Sequence, residues 1–437
     1  MLGYYLDLAV RSLRRNRALT ALMILTIAVG IGAAMTTLTV FKTLAGDPIP
    51  QKSDVLYRVQ LDMYPEGAKA RQARPEPPDD VSRFDAEALL AQKRGTRQMV
   101  TSYSDNVIEA GERGNVDPFI SSVRNTTADF FPMFLVPMKY GKPWTAAEDA
   151  SRARVAVITP ELNDKLFGGA NSVGKSIRID DTAFRIVGIM DEWRPSPRFY
   201  DKNADTFGKT EMAIVPYATT RDLGWSVSGN MNCFSARSDG KNTDLNAPCV
   251  WLQYWVELTS PSQAGDFKRY LENYSAQQKA AGRYSRDPNV RLRSVMEWLD
   301  FTKAVPSDVK LQMWLSFGFL VVCLVNVVGL LLAKFLRRSG EIGVRRALGA
   351  SRRQIFFQLL VEAGVVGVVG GVIGLGLAWL GLWGVRQQPA QYADLASMSV
   401  SMLVVTFAVS LLSSLLAGAL PAWRAMRIAP AMQLKTQ

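Results

Sequence analysis

Four stretches of this chain run without a charge for longer than a surface helix needs, and they frame a long mixed segment. Ala18 to Phe41, Leu311 to Ala333, Ala363 to Val385 and the residues between Asp394 and Arg424 contain no Asp, Glu, Lys or Arg. An apolar run of about 20 residues is enough to cross the hydrocarbon core as a helix. The pattern predicts membrane helices over 18–44, 306–333, 358–385 and 399–423. The first run is longer than the apolar region of a cleaved signal peptide, so it predicts an uncleaved anchor although four arginines precede it. Residues 1–17 predict an amphipathic helix with Tyr5, Leu6, Ala9, Val10 and Leu13 on one face and Arg11, Arg14 and Arg15 opposite, suited to lie against lipid headgroups.

The segment 45–305 has strand and helix periods instead. VLYRVQL (55–61), FDAEALLAQ (84–92) and MVTSYS (99–104) read as strand, helix and strand. YWVELT (254–259), AGDFKRYLENYSAQQKA (264–280) and VRLRSVM (290–296) repeat that order near the other end. Two such units predict one α+β subdomain assembled from 45–125 and 253–305. Between them, 126–252 holds strand patterns at 155–159, 176–180 and 184–190, which predicts a β-rich insertion. The proline-rich stretch 63–82 reads as a loop.

Charge orients these parts. Arg11, Arg14, Arg15 and Arg17 precede the first run. Seven basic residues crowd 334–353, and Arg424, Arg427 and Lys435 follow the last run. Only Arg386 lies in the short loop 386–398. Basic loops stay on the cytoplasmic side, so both termini and the loop 334–357 are expected there, and 45–305 outside. Three cytoplasmic pieces account for the whole net charge of +12. The basic balance is therefore a topology signal and not a nucleic-acid footprint.

Candidate chemistry is sparse. The chain has no histidine, which removes the commonest general base and metal ligand. No catalytic site, cofactor site or metal site is expected. Gly169 to Ser176, GANSVGKS, matches a phosphate-loop spacing, but such a loop leaves a strand and opens a helix. Here a helical pattern (160–167) precedes it and a strand pattern follows, so it reads as a turn. Cys233 and Cys249, 16 positions apart, either pair as a disulfide or remain two buried thiols. Gly367 with Gly371 and Gly370 with Gly374 form small-xxx-small pairs that let helices approach closely in lipid. Asn326 is expected to be buried and hydrogen-bonded to a neighbouring helix. The spans show no Asp, Glu, Lys or Arg in their central portions, which argues against ion coupling.

Three stretches together resemble the FtsX-like/MacB-like permease family of ABC transporters: RRSGEIGVRRALGASRRQIFFQLLVEA (337–363), the stretch from TTADFFPMF to FRIVGIM (126–190), and PAWRAMRIAPAMQLK (421–435). The resemblance implies a four-helix permease with a large α+β extracytoplasmic domain, porter-like with a β-rich insertion, in the bacterial inner membrane. It also implies that 340–356 is a coupling helix for a cytoplasmic ABC ATPase, with Glu341, Ile342, Gly343, Arg345, Arg346, Leu348 and Gly349 as the docking residues. Unlike fused members, these residues show no credible nucleotide-binding domain, so the resemblance places ATP and Mg on a separate partner. A second permease, identical or paralogous, is expected across the glycine-rich faces, and a periplasmic adaptor and outer-membrane channel beyond it. The implied function is ATP-driven mechanotransmission for efflux. Lipoprotein extraction or regulation of cell-wall hydrolases are alternatives within the family, and a membrane-anchored sensor is one outside it.

Overall fold

The computed structural model describes residues 2–64, 76–110, 116–234, 240–388, 392–396 and 398–427. The chain forms two compact units, Met1–Gly46 with Val305–Gln437, and Asp47–Ala304. Most of the loop read at 63–82 and the end of the 421–435 motif lie outside the described residues.

Among the described residues, four helices of the first unit are long and apolar enough to cross a membrane: Arg17–Ala45, Ser307–Arg337, Arg352–Arg386 and Val400–Ala425. In lipid the packing of small residues, rather than the hydrophobic effect, holds such helices together. The third helix packs by two glycine faces. A Cβ on Gly370 would stand 2.8 Å from Ile27 Cγ2, and one on Gly374 would stand 3.1 Å from Ala28 O, both on the first helix. One turned to the side, a Cβ on Gly371 would stand 2.5 Å from Ser410 Oγ of the fourth helix. Ser410 Oγ also donates to Gly367 O at 2.6 Å. Both small-residue pairs are thus occupied within one chain. Gly376 and Gly384 of the same helix have nothing within 4 Å of where a Cβ would be.

Asn326 corrects one expectation. The second helix turns Cys323, Val327 and Leu331 inward, and Asn326, one step round from Val327, is exposed with no side-chain hydrogen bond among the described residues. In the N-terminal helix Leu2–Arg15, Ala9 and Ser12 are the buried positions. Leu6 and Val10 stay exposed, so the face that meets the protein is narrower than the apolar pattern suggests.

The second unit is built on a single hydrogen-bonded network of strands. They are β1 (Leu56–Gln60), β2 (Val81–Ser82), β3 (Arg97–Ala110), β4 (Phe119–Thr126), β5 (Met138–Gly141), β6 (Val155–Ile158), β7 (Ser176–Ile179), β8 (Thr182–Met190), β9 (Ala213–Pro216), β10 (Asn232–Cys233), β11 (Cys249–Glu257) and β12 (Arg291–Ser294). The main path runs β12-β1-β11-β3-β4-β9-β6-β8-β5. Its first four strands come from both ends of the segment, with helices Arg83–Gln92 and Pro261–Ala280 as crossovers. That order is the split β-α-β arrangement of a ferredoxin-like unit. The sheet does not break where the insertion is expected to start. β3 and β4 pair antiparallel from Thr101↔Thr126 to Ile108↔Phe119, and β4 carries the path into the later strands. The VRLRSVM pattern also divides: β12 ends at Ser294, whose side chain and Glu297 form a capping box that starts the helix Val295–Phe301, a strong N-terminal signal.

Cys233 and Cys249 face each other across the β10–β11 pair and form a disulfide. Gly169 to Ser176 leaves the helix Pro160–Phe167 through left-handed Gly168 and Gly169 and enters β7. Inside the unit Arg124, on β4, is fully buried and paired with Asp201 and Glu211, and Arg198 Nη1 lies 2.8 Å from Glu211 Oε1.

Candidate functional site at the basic loop

The basic stretch between the second and third membrane helices folds into one short helix, Ser339–Ala347. Its first turn carries Glu341 and its last turn Arg345 and Arg346, an order that favours the helix dipole. The helix stops at Leu348, and Gly349 follows with φ +99°, a left-handed conformation that glycine adopts without a Cβ penalty. Ser351 then caps the third membrane helix in a capping box with Gln354. The segment expected to be one coupling helix over 340–356 is therefore a helix, a glycine turn and the first turn of the next helix.

The expected docking residues do not share one face. Ile342 and Gly343 are buried, and Ile342 belongs to the apolar core with Ile355 and Leu359. Arg345 Nη1 donates to Gln358 Oε1 at 2.9 Å. Glu341 bonds with Arg338 at 3.0 Å and with Arg15. Val344 is 55% exposed and Leu348 83% exposed. Arg346 is half-buried. One side of the loop helix holds it to the bundle, and the Val344–Leu348 side is free for contact.

Behind that helix lies a charge cluster drawn from three helices. Lys334 and Arg338 stand four apart at the end of the second membrane helix, and Glu362 sits in the third. The Lys334 ammonium lies 2.5 Å from Glu362 Oε1 with both side chains buried, an ion contact whose angle does not make a hydrogen bond. Arg338 Nη1 reaches Glu362 Oε2 at 3.3 Å. Ser12 of the N-terminal helix donates to Glu362 Oε1 at 2.5 Å and accepts from Arg338 Nη1 at 2.5 Å. Arg338 then passes the connection to Glu341 through Nε and Nη2. Partial burial would raise the Glu341 carboxyl, but hydrogen bonds and charge from Arg338 and Arg15 outweigh it and hold the group below the usual range.

The arrangement ties the loop helix, the N-terminal helix and the bases of two membrane helices into one polar unit. Charges in such helices are costly and mark functional positions. Sequence reasoning did not single out Ser12, Lys334, Arg338 or Glu362 as a site. The available signal was Glu362, an isolated acid at the border of an apolar run, which needs a cation near it.

Residues 20–274 match the MacB-like periplasmic core domain family, and residues 313–430 match the FtsX-like permease C-terminal family. The pyoverdine export ATP-binding/permease protein PvdT of Pseudomonas aeruginosa is 26% identical over 97% of this chain and 57% of its own length. The macrolide export ATP-binding/permease protein MacB of Wolinella succinogenes is 24% identical over 99% of this chain and 60% of its own. The chain thus spans less than two thirds of the length of these curated relatives. The periplasmic region of MacB from Actinobacillus actinomycetemcomitans aligns with a TM-score of 0.37 at 13% identity, covering 61% of this chain and 99% of that structure, a likeness too low to carry an argument.

Proposed function

We propose that this chain, which belongs to the ABC transporter permease family joining a MacB-like periplasmic core domain to an FtsX-like C-terminal region, transmits motion in an ATP-driven export complex. The Glu362 cluster is the observation that carries this reading. A displacement of the loop helix reaches the second and third membrane helices and the N-terminal helix through Arg338, Glu341 and Glu362. Such polar links resist slippage because breaking one leaves a buried charge unpaired. The exposed Val344 and Leu348 suit contact with a cytoplasmic ABC ATPase, which binds ATP and Mg outside the residues described.

Basic residues at both ends and in the loop support a cytoplasmic placement for them. The core domain then works on the periplasmic side of the inner membrane. A second permease completes a dimer, and its movement passes the substrate to a periplasmic adaptor and outer-membrane channel. Export is favoured over the other family roles by the names of the relatives, which are exporters of pyoverdine and macrolides.

The test is affinity purification of the tagged chain from its native membrane, with mass spectrometry of bound proteins, beside Leu348→Glu. An ABC ATPase is expected with the parent and at least tenfold less with the variant, at unchanged thermal stability. Failure to recover an ATPase with either protein under mild detergent would overturn the reading.

A further inference from the structure

The second membrane helix, Ser307–Arg337, has two unlike faces. Val327 and Leu331 turn into the bundle, and from that side Lys334 and Arg338 reach Glu362. The opposite face is exposed at Leu315, Phe319, Val322, Asn326, Gly329 and Ala333. These residues follow one another in steps of four and three, the 3.5-residue repeat by which two helices wind together. Gly329 has open space where a Cβ would be, so a neighbouring backbone can come close there.

A stripe turned to lipid would show the same spacing, and Asn326 is what sets this one apart. In the inner parts of the four membrane helices (20–40, 315–332, 365–384 and 403–421) every hydroxyl side chain is buried or half-buried. Asn326 is the one exposed side chain with an amide or hydroxyl in those stretches. It lies four residues, about 6 Å, from the middle of the charge-free run Leu311–Ala333. Hydrocarbon offers no hydrogen bonds, so an amide facing it keeps two donors and an acceptor unmet. Asn326 has no partner for them among the described residues of its own chain.

An asparagine side chain is complementary to itself, because its carbonyl accepts and its NH2 donates. Two copies of one chain insert with the same topology, so their second helices run parallel and place Asn326 at the same depth. A twofold axis along the membrane normal then sets each residue of the stripe against its own counterpart. No charge lies between Leu315 and Ala333 to oppose the meeting. One polar residue in an otherwise apolar seam is a known means of fixing register and strand number in coiled coils.

We propose that this face of the second membrane helix is the seam of a parallel dimer of identical chains, in which Asn326 hydrogen-bonds the same residue of the second copy. The proposal rests on the dimer named above and adds the face and the residue that form it. The Glu362 cluster lies on one side of the helix and the second copy on the other, so displacement of the loop helix in one copy passes to its partner.

The experiment is disulfide cross-linking of the full chain in native membrane vesicles, with two differently tagged copies expressed together. Val322→Cys and Gly329→Cys test the seam, and Val369→Cys and Val404→Cys put the same thiol on exposed positions of the third and fourth helices. After oxidation with copper phenanthroline, a linked pair carrying both tags is expected for the first two variants. Its yield should be at least tenfold above the last two and above the parent, whose Cys323 is buried. Asn326→Leu added to Val322→Cys is expected to lower the yield at least fivefold. Asn326→Gln, which keeps both hydrogen-bonding groups, is expected to retain most of it. Copurification of the two tags without oxidant reads the dimer separately. Tags that copurify while the seam thiols link no better than those at 369 and 404 would overturn the seam and leave the dimer. Tags that never copurify would overturn a dimer of identical chains, whatever the recovery of an ATPase shows. An unchanged yield with Asn326→Leu would overturn the role of the amide.

Discussion

Lys334 and Glu362 meet 2.5 Å apart, one from each of two neighbouring membrane helices, with side-chain exposures of 0% and 1%. Glu362 does not serve Lys334 alone. Its oxygens also take Ser12 Oγ and Arg338 Nη1, so the carboxylate is the point where three helices share one polar contact. Taking these charges out of water is expensive, and mutual attraction offsets that cost only while every partner stays in place.

Removing one partner should therefore be worse than removing two. Glu362→Ala leaves Lys334 buried and uncompensated and is expected to lower stability by ~3–5 kcal/mol. Lys334→Met with Glu362→Leu fills the same space without charge, and Arg338 keeps Glu341 and Ser12. The double variant is expected within ~1–2 kcal/mol of the parent. Thermal unfolding of the purified chain in detergent distinguishes the two cases. A double variant as damaged as the single one would mean that the pair is not the source of the loss.

The third membrane helix predicts a sharp positional contrast. A Cβ on Gly367 would fall 2.0 Å from Ser414 Oγ and 2.3 Å from Ser414 Cβ. Turning the serine side chain moves Oγ but not Cβ, so Gly367→Ala forces the helices apart and is expected to cost ~1–3 kcal/mol. Adding Ser414→Gly removes both atoms and should restore most of that loss. Gly376 lies in the same helix with open space where a Cβ would be, and Gly376→Ala should be neutral or stabilising by up to ~1 kcal/mol. Indistinguishable melting of Gly367→Ala and Gly376→Ala would contradict the packing described.

The same residues show how far the sequence was readable. Four charge-free runs mark the membrane helices because the bilayer imposes a length and excludes charge, a local requirement. Helix Pro160–Phe167 was legible for a similar reason, since Thr159 caps it, Pro160 opens it and Gly168 ends it. Partners were not legible. Gly367 and Gly370 differ by three positions, yet one meets the fourth helix and the other the first, and nothing along the chain says which. Asn326 failed for the same reason: its polarity suggests a partner, but only the rotation of the helix decides whether it finds one. At the candidate site, the density of basic residues at 334–353 was visible. The division between inward Ile342 and outward Leu348 depends on where Ile355 and Leu359 lie in space.

Two carboxyl groups in the Asp47–Ala304 unit should give stability opposite slopes with pH. Burial raises Asp149 from its ordinary 3.8 to about 6, although Ala128 N–H and Trp144 Nε1 donate to it. Its contribution to stability is full below pH 3.8 and is lost as pH rises through about 6; a shift of this size corresponds to at most ~3 kcal/mol. Glu211 has the reverse sign. Burial would raise it, but the charges of Arg124 and Arg198 prevail and lower it from 4.5 to about 2. Its contribution is present above pH 4.5 and is lost as pH falls through about 2. Asp149→Asn is expected to flatten the decline between pH 4 and 6 and leave the acid limb alone. It should also abolish a change in tryptophan emission centred near pH 6, since Trp144 Nε1 lies 2.8 Å from Asp149 Oδ1. Unfolding of the full chain in detergent, followed by tryptophan fluorescence from pH 2 to 8, reads both effects at once. An unaltered slope in the variant would place the titration on another group.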